Sequence, residues 1–211
     1  MKVKDIIEII NVFNAKIIFD KPEDVKNDIM LGRSPLYFTP VEGKEKKKYE
    51  TIIHNQEFES TTAAIHVIDL SVRDLVNIFE CDGTGIHEFT NNIIDPYCDA
   101  EISRDIVYVI FLFLHEIGHW MQFECMNKKV KEFINKDLQL AKENFDKVSE
   151  LKRQRQQRIE KGSKCILTAK EKRLFREYMQ EYRNIPKEKE ADEFALSQMQ
   201  LSLELYKNGK L

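Results

Sequence analysis

The chain reads as an α+β protein, with a small mixed or antiparallel sheet packed on one long buried helix and a mostly helical C-terminal half. Three observations predict this. Residues 1–100 break into short β-branched and aromatic runs separated by turns. An apolar helical pattern opens at Ser103 with no proline to stop it, and a charged amphipathic periodicity then runs from Asn127 almost to the end.

With 211 residues, 42% of them hydrophobic, the chain can bury a real core. The expectation is a single domain over 1–211, with 128–183 as a helical hairpin inserted in it. Thirty-three basic and 36 acidic residues give a formal net charge of −3. No global field therefore points to nucleic acid or to an anionic membrane.

The opening MKVKDIIEIINVF is a short amphipathic helix. Asp5 and Glu8 interrupt its apolar stripe and no small-residue cleavage site follows, so it does not read as a secretion signal. Strands are expected at AKIIF (15–19), PLYFT (35–39), ETIIH (50–54) and TAAIHVIDL (62–70), the last being the best formed. EGKEKKKYE (42–50) reads as a mobile surface loop. Ser71 stands three residues before Asp74 as the cap of a short helix through LVNIF, and ECDGTGIHEFTNN (80–92) reads as a loop.

From Ser103, Ile106, Val107, Ile110, Phe113, Leu114, Ile117 and Met121 give a helix with a wide apolar face. Its uninterrupted apolar run, 106–114, falls short of the roughly 20 residues of a membrane span. Beyond Asn127 a second pattern, with Ile134, Leu138, Ala141, Phe145, Val148 and Leu151, continues to about Ile159, and the turn KGSK follows. Thr168 and Glu171 form a capping box at the head of the next helix, which runs to about Arg183. Pro186 suits the first turn of a final helix ending near Tyr206. Cys81, Cys98, Cys125 and Cys165 show no C-x-x-C spacing, as expected of reduced thiols in the cytoplasm.

The chemistry lies in FLFLHEIGHWMQF (111–123). Two histidines and a glutamate interrupt an apolar helix, where each unpaired polar group would cost about 1–3 kcal/mol. His115, Glu116 and His119 form H-E-x-x-H. Positions four apart fall about 40° apart around a helix, so both imidazoles project from one face and can share a metal. Glu116 lies on the flank of that face, within reach of a water at the metal without being a ligand.

A third ligand must come from elsewhere, and PKEKEADEFALSQM (186–199) offers it. At about 100° per residue, Glu188, Asp192, Ala195, Met199 and Tyr206 share one face with Ala191 at its edge, whereas Glu190 and Glu193 fall opposite. Glu188 is then the ligand, and Asp192 can accept a hydrogen bond from the second nitrogen of a histidine. Small Ala191 and Ala195 would let this helix approach the HEIGH helix closely.

HEIGH followed by EKEADEFA resembles the gluzincin-type zinc peptidases with an E-x-x-A-[DN]-x-F-A element, the ImmA/IrrE-like metallopeptidases and, more distantly, the Ste24/HtpX-like peptidases. The resemblance covers 111–121 and 186–199. It implies a minimal zincin-like core, one Zn2+ per chain on His115, His119 and Glu188, and Glu116 as catalytic base. It also implies that 62–70 is the sheet-edge strand that pairs with the substrate backbone. The chain lacks the membrane helices of the Ste24/HtpX-like proteins, which favours the soluble, cytoplasmic branch. Its gap from His119 to Glu188 is longer than in the ImmA/IrrE pattern and holds the hairpin, a lid or docking arm.

The function expected is that of a soluble zinc metallopeptidase hydrolysing a specific protein or peptide, with neither nucleic acid nor membrane as partner; the oligomeric state is not encoded in any motif. The alternative is a latent or non-catalytic zinc-binding regulatory protein. Tyr178, Tyr182, Arg183 and His87 are unranked candidates to stabilise the oxyanion. His66 reads as structural, Trp120 and Phe123 as core, and the basic run LKRQRQQRIEKGSK (151–164) as a solvated helix end.

Overall fold

A computed structural model describes residues 1–23, 34–52, 57–81, 86–160 and 168–209. Helix α1 (Val3–Ile10) opens the chain and buries Val3, Ile6, Ile7 and Ile10, the stripe of a helix with one face in the core. Three strands follow in the N-terminal half: β1 (Ile17–Asp20), β2 (Leu36–Thr39) and β3 (Ala64–Ile68). Their spatial order is β1-β3-β2, with β1 parallel and β2 antiparallel to β3. Ile65 of β3 faces Ile17 on one side and Phe38 on the other. All five β3 residues are buried, as a central strand covered on both faces requires.

Between β2 and β3 lies α2 (Gly43–Ile52), and after β3 come α3 (Val72–Cys81), α4 (Ile86–Ile94) and a 3-10 turn (Asp95–Tyr97). The central element is α5 (Arg104–Cys125), in which every residue from Ile106 to His115 is buried. By length and composition it could cross a membrane, although its uninterrupted apolar run is short. In the fold, 78% of that apolar stretch is covered by the protein's own elements, including α1, α3, α4, β2 and β3. Helices α6 (Val130–Asn135), α7 (Leu138–Glu160), α8 (Ala169–Arg183) and α9 (Pro186–Gly209) complete the chain, and α9 is the most extensive neighbour of α5. The α+β class, with its small mixed sheet and helical C-terminal half, is that expected of a minimal zincin-like core.

Five local expectations are corrected. Residues 43–50 of the expected 42–50 loop are not a loop and 50–52 are not strand: both belong to α2, because Tyr49 reaches a second apolar cluster with Val41, Ala63, Phe123 and Phe133 and anchors the segment as a helix. Residues 53–54 lie outside the described ones. The segment 80–92 is helical at both ends, where α3 continues to Cys81 and α4 starts at Ile86 to bury Thr90 and Ile94. The helix beyond Asn127 is broken into α6 and α7 by Asp137, which sits at φ +58°. That break has a use, since the Asp137 carboxylate accepts the Lys187 N–H at 3.0 Å and caps α9 from another part of the chain. Met121, expected on the apolar face, is 37% exposed.

The caps read from sequence are present. Ser71 Oγ accepts the Asp74 N–H at 3.1 Å. Thr168 and Glu171 exchange both bonds of a capping box, at 3.2 and 2.6 Å. Cys98 and Cys125 are free thiols, while Cys165 and the KGSK turn lie outside the described residues.

Candidate metal centre and active site

Helix α5 is held at one depth by its buried run from Ile106 to Leu114, which turns His115 and His119 to a fixed neighbour. That neighbour is α9, and the register between them is set by Gly118 against Ala191. A Cβ on Gly118 would lie 2.8 Å from the Ala191 Cα, so an approach this close needs glycine on α5 with a small residue opposite it on α9. The approach brings Glu188 between the two imidazoles. Its Oε2 is 3.4 Å from His115 Nε2 and 3.5 Å from His119 Nε2, and all three groups are buried. The ligand atoms of His115, His119 and Glu188 lie within 4.8 Å of one another.

The far sides of both rings are anchored. His115 Nδ1 lies 2.9 Å from Asp192 Oδ1, and a carboxylate can only accept, so the proton sits on Nδ1. His119 Nδ1 lies 3.0 Å from Gln122 Oε1. The Gln122 amide is oriented by its other end, where Nε2 donates to the Lys187 carbonyl at 2.8 Å and to Glu190 at 3.1 Å. With Nδ1 protonated, each neutral imidazole aims its Nε2 lone pair at Glu188 Oε2, a buried oxygen with no hydrogen-bond partner. Three converging lone pairs repel one another unless a metal ion or a proton lies between them. The donor set and its anchored outer shell fit a divalent metal of the zinc type.

The charges agree. Glu116, Glu188 and Asp192 face one buried guanidinium, Arg183, which ion-pairs with Asp192 and places Nη1 3.4 Å from His115 Nε2. Even with the half-buried Lys187 at the wall, negative charge is in excess. Burial and Arg183 push the His115 pKa down, but Asp192, Glu188 and Glu116 outweigh them and raise it to about 8. A proton thus competes for the place a metal would take. Burial would raise Glu188, yet the two imidazoles beside it outweigh burial and hold it well below the usual carboxylate range. Burial raises Glu116, and the charge of Glu188 adds to this against the pull of both histidines and the Phe38 N–H.

Glu116 points away from α9, toward the sheet. Its Oε2 accepts the Phe38 N–H at 2.7 Å. Because that N–H serves Glu116 and not β3, it marks the outward side of β2. A cavity of about 320 Å3 opens there, between β2, the face of α5 and the end of α8. The edge strand beside the site is therefore β2; the 62–70 strand is central, contrary to the expectation from the resemblance, because β1 and β2 occupy both its sides.

Of the four oxyanion candidates, Tyr182 and Arg183 line this cavity and Tyr178 and His87 do not. Burial, followed by the charge of the Glu188 carboxylate, raises the Tyr182 pKa well above the usual value, so the phenol keeps its proton and remains a donor. His87 instead contacts Asn91 at 2.9 Å, outside the cavity. His66 is structural: its ring lies 2.7 Å from Asp20 and 3.0 Å from Glu42 and stacks on Tyr37. Phe123 is fully buried and Trp120 packs edge-on to Phe38. Glu190 and Glu193 face solvent, as the helix phase requires. Sequence reasoning missed Gln122, although its place three residues after His119 on the same helix face was a usable signal, and missed the Phe38 backbone, which has none.

No known family, curated protein or solved structure matches this chain. The reading of the site rests on its geometry.

Proposed function

We propose that the chain is a zinc-dependent peptidase, with His115, His119 and Glu188 as the metal ligands and Glu116 as the general base. The observation that carries this is the buried, partnerless Glu188 Oε2 set 3.4 and 3.5 Å from two imidazole nitrogens whose other sides are tied down. Zinc held there would polarise the scissile carbonyl and acidify a water.

The protein's own residues supply the rest. Glu116, its pKa raised by burial, takes a proton from the attacking water and returns it to the leaving amine. The Phe38 N–H fixes the carboxylate that must do both. Extended substrate would lie along the outward edge of β2, where backbone groups face the cavity. Tyr182 donates to the developing oxyanion, and Arg183 holds Asp192, and through it the His115 ring, in place. On this reading the hairpin of 128–183 is an insertion that completes the site, because Tyr182 and Arg183 end its second helix.

The latent alternative requires a hairpin that seals the metal, and the open volume of about 320 Å3 beside His115 and Glu116 favours the catalytic reading. Zinc content of the purified protein, with Glu188→Ala and Glu193→Ala beside it, tests the proposal. One equivalent per chain, lost in Glu188→Ala and kept in Glu193→Ala, is expected; a wild type that stays metal-free under zinc-replete conditions overturns it. Glu193 is the better control, since Glu190 takes a hydrogen bond from Gln122.

A further inference from the structure

We propose that the groove on the outer face of α7 and α8 is a docking site for an acidic, apolar-anchored segment of the protein substrate. This rests on the peptidase reading and adds the class of substrate to it.

The groove has a volume of about 530 Å3, and Ala141, Phe145, Val148 and Met179 form its apolar surface. Leu138, Ala141, Phe145, Val148 and Lys152 recur along α7 at alternating steps of three and four, the spacing of a helix seam that expects a second helix. Met179 and Tyr182 of α8 wall the groove on one side but leave it open: Leu151 and Phe175 are 5% and 2% exposed, whereas Phe145 is 68% exposed. A phenylalanine this open on an otherwise charged helix is the kind of anchor point that peptide-binding grooves present.

Charge and position identify the occupant. Lys142 and Lys152 stand in the groove wall and have no carboxylate partner among the described residues, while Lys147 nearby is paired with Glu181 at 2.6 Å. Carboxylates flanking the apolar anchors of a bound segment would neutralise both lysines. A second copy of the chain would not, because α7 laid antiparallel on itself sets Lys142 against Lys152 of its mate. The groove also shares a wall with the cavity at Glu116, since Tyr182 lines both. A chain seated by its acidic segment is thereby held beside the proposed scissile site.

The test selects binders from a display library of random 16-residue peptides on the zinc-loaded Glu116→Gln protein, counter-selected on the same protein carrying Phe145→Asp. Acidic peptides with apolar residues at three- and four-residue steps are expected. Their Kd should rise about tenfold or more in Phe145→Asp and in Lys142→Glu/Lys152→Glu. Basic or uncharged binders, or none that depend on Phe145, overturn the proposal. So does a wild-type dimer in sedimentation that Phe145→Asp dissociates. The selected segment is then joined to a generic peptide reporter. A lowered KM at unchanged kcat, lost in Phe145→Asp, supports docking. Cleavage with no change in KM refutes the groove and spares the peptidase; tight binding with no cleavage of any reporter refutes the peptidase and spares the groove. Both substitutions lie on the surface, and an unchanged melting temperature verifies folding.

Discussion

Gly118 meets Ala191 so closely that a Cβ added to the glycine would lie 2.8 Å from the alanine's Cα and 3.0 Å from its carbonyl oxygen. Both contacts are to backbone, which cannot swing aside as a long side chain could. The crossing of α5 and α9 is therefore set by the absence of one methyl group, three residues from His115 and one from His119.

Gly118→Ala is expected to destabilise the protein. Alanine favours a helix interior over glycine by about 1 kcal/mol, but overpacking against backbone costs about 1–3 kcal/mol and pushes α9 outward. Glu188 would move with α9. A melting temperature lower by several degrees, together with weaker zinc binding, is the expected outcome; a more stable variant would mean that helix propensity wins and that the contact is soft.

Gln122→Ala and Asp192→Ala should separate two roles that look alike. Each frees the outer nitrogen of one imidazole, for which about 10- to 100-fold in metal affinity is expected. Asp192→Ala additionally strands the buried Arg183 guanidinium, at about 3–5 kcal/mol. Competition titrations with a zinc chelator should therefore show both variants weakened, and chemical denaturation of the metal-free proteins should show only Asp192→Ala much less stable.

Glu116→Gln should keep zinc and lose hydrolysis by about 10^2- to 10^4-fold. The amide can still accept the Phe38 N–H, so the β2 edge stays in place. Equal cleavage by the variant and the wild type of any peptide the wild type hydrolyses would remove Glu116 from the mechanism.

Metal removal should be visible in stability. A ligand that binds only the folded state stabilises by RT ln(1 + [L]/Kd), about 4 kcal/mol at a thousandfold excess over Kd. A chelator should lower the melting temperature of the wild type and leave that of Glu188→Ala unchanged; equal shifts in both would place the metal elsewhere.

Glu45 gives a pH dependence away from the site. Its carboxylate accepts from the Thr61 and Thr62 N–H groups and from the Ser60, Thr61 and Thr62 hydroxyls, joining α2 to the approach to β3. Burial raises its pKa, and these bonds outweigh burial and lower it below 4.5. A depressed folded pKa contributes stability that is complete above the unfolded value and is lost as pH falls through the folded one. Glu45→Gln should thus cost about 1 kcal/mol at pH 7, with the difference from wild type shrinking as the pH falls below the unfolded value of 4.5 and lost once it passes the lower folded one. A difference independent of pH would show that the charge is irrelevant.

The local features of this protein are readable in its sequence. The H-E-x-x-H spacing puts both imidazoles on one helix face, and the phase of 186–206 selects Glu188 and Asp192 over Glu190 and Glu193, because a helix maps sequence separation onto direction with one fixed period. Caps at Ser71 and Thr168 are equally local, whereas α9 takes its cap from the distant Asp137. Where local pattern is weak, tertiary contact decided. EGKEKKKYE carries no apolar stripe, and Tyr49 makes it helical by docking on a cluster formed from residues 41 to 133.

The same division holds in the site. Sequence determined the candidate ligand types and the face they share. Only the fold decided that β2, not the better-formed 62–70, lies at the sheet edge beside the site, and that Tyr182 and Arg183 reach the cavity while Tyr178 and His87 do not. Strand order and side-chain convergence depend on which distant segments pack together, and no periodicity along the chain encodes that.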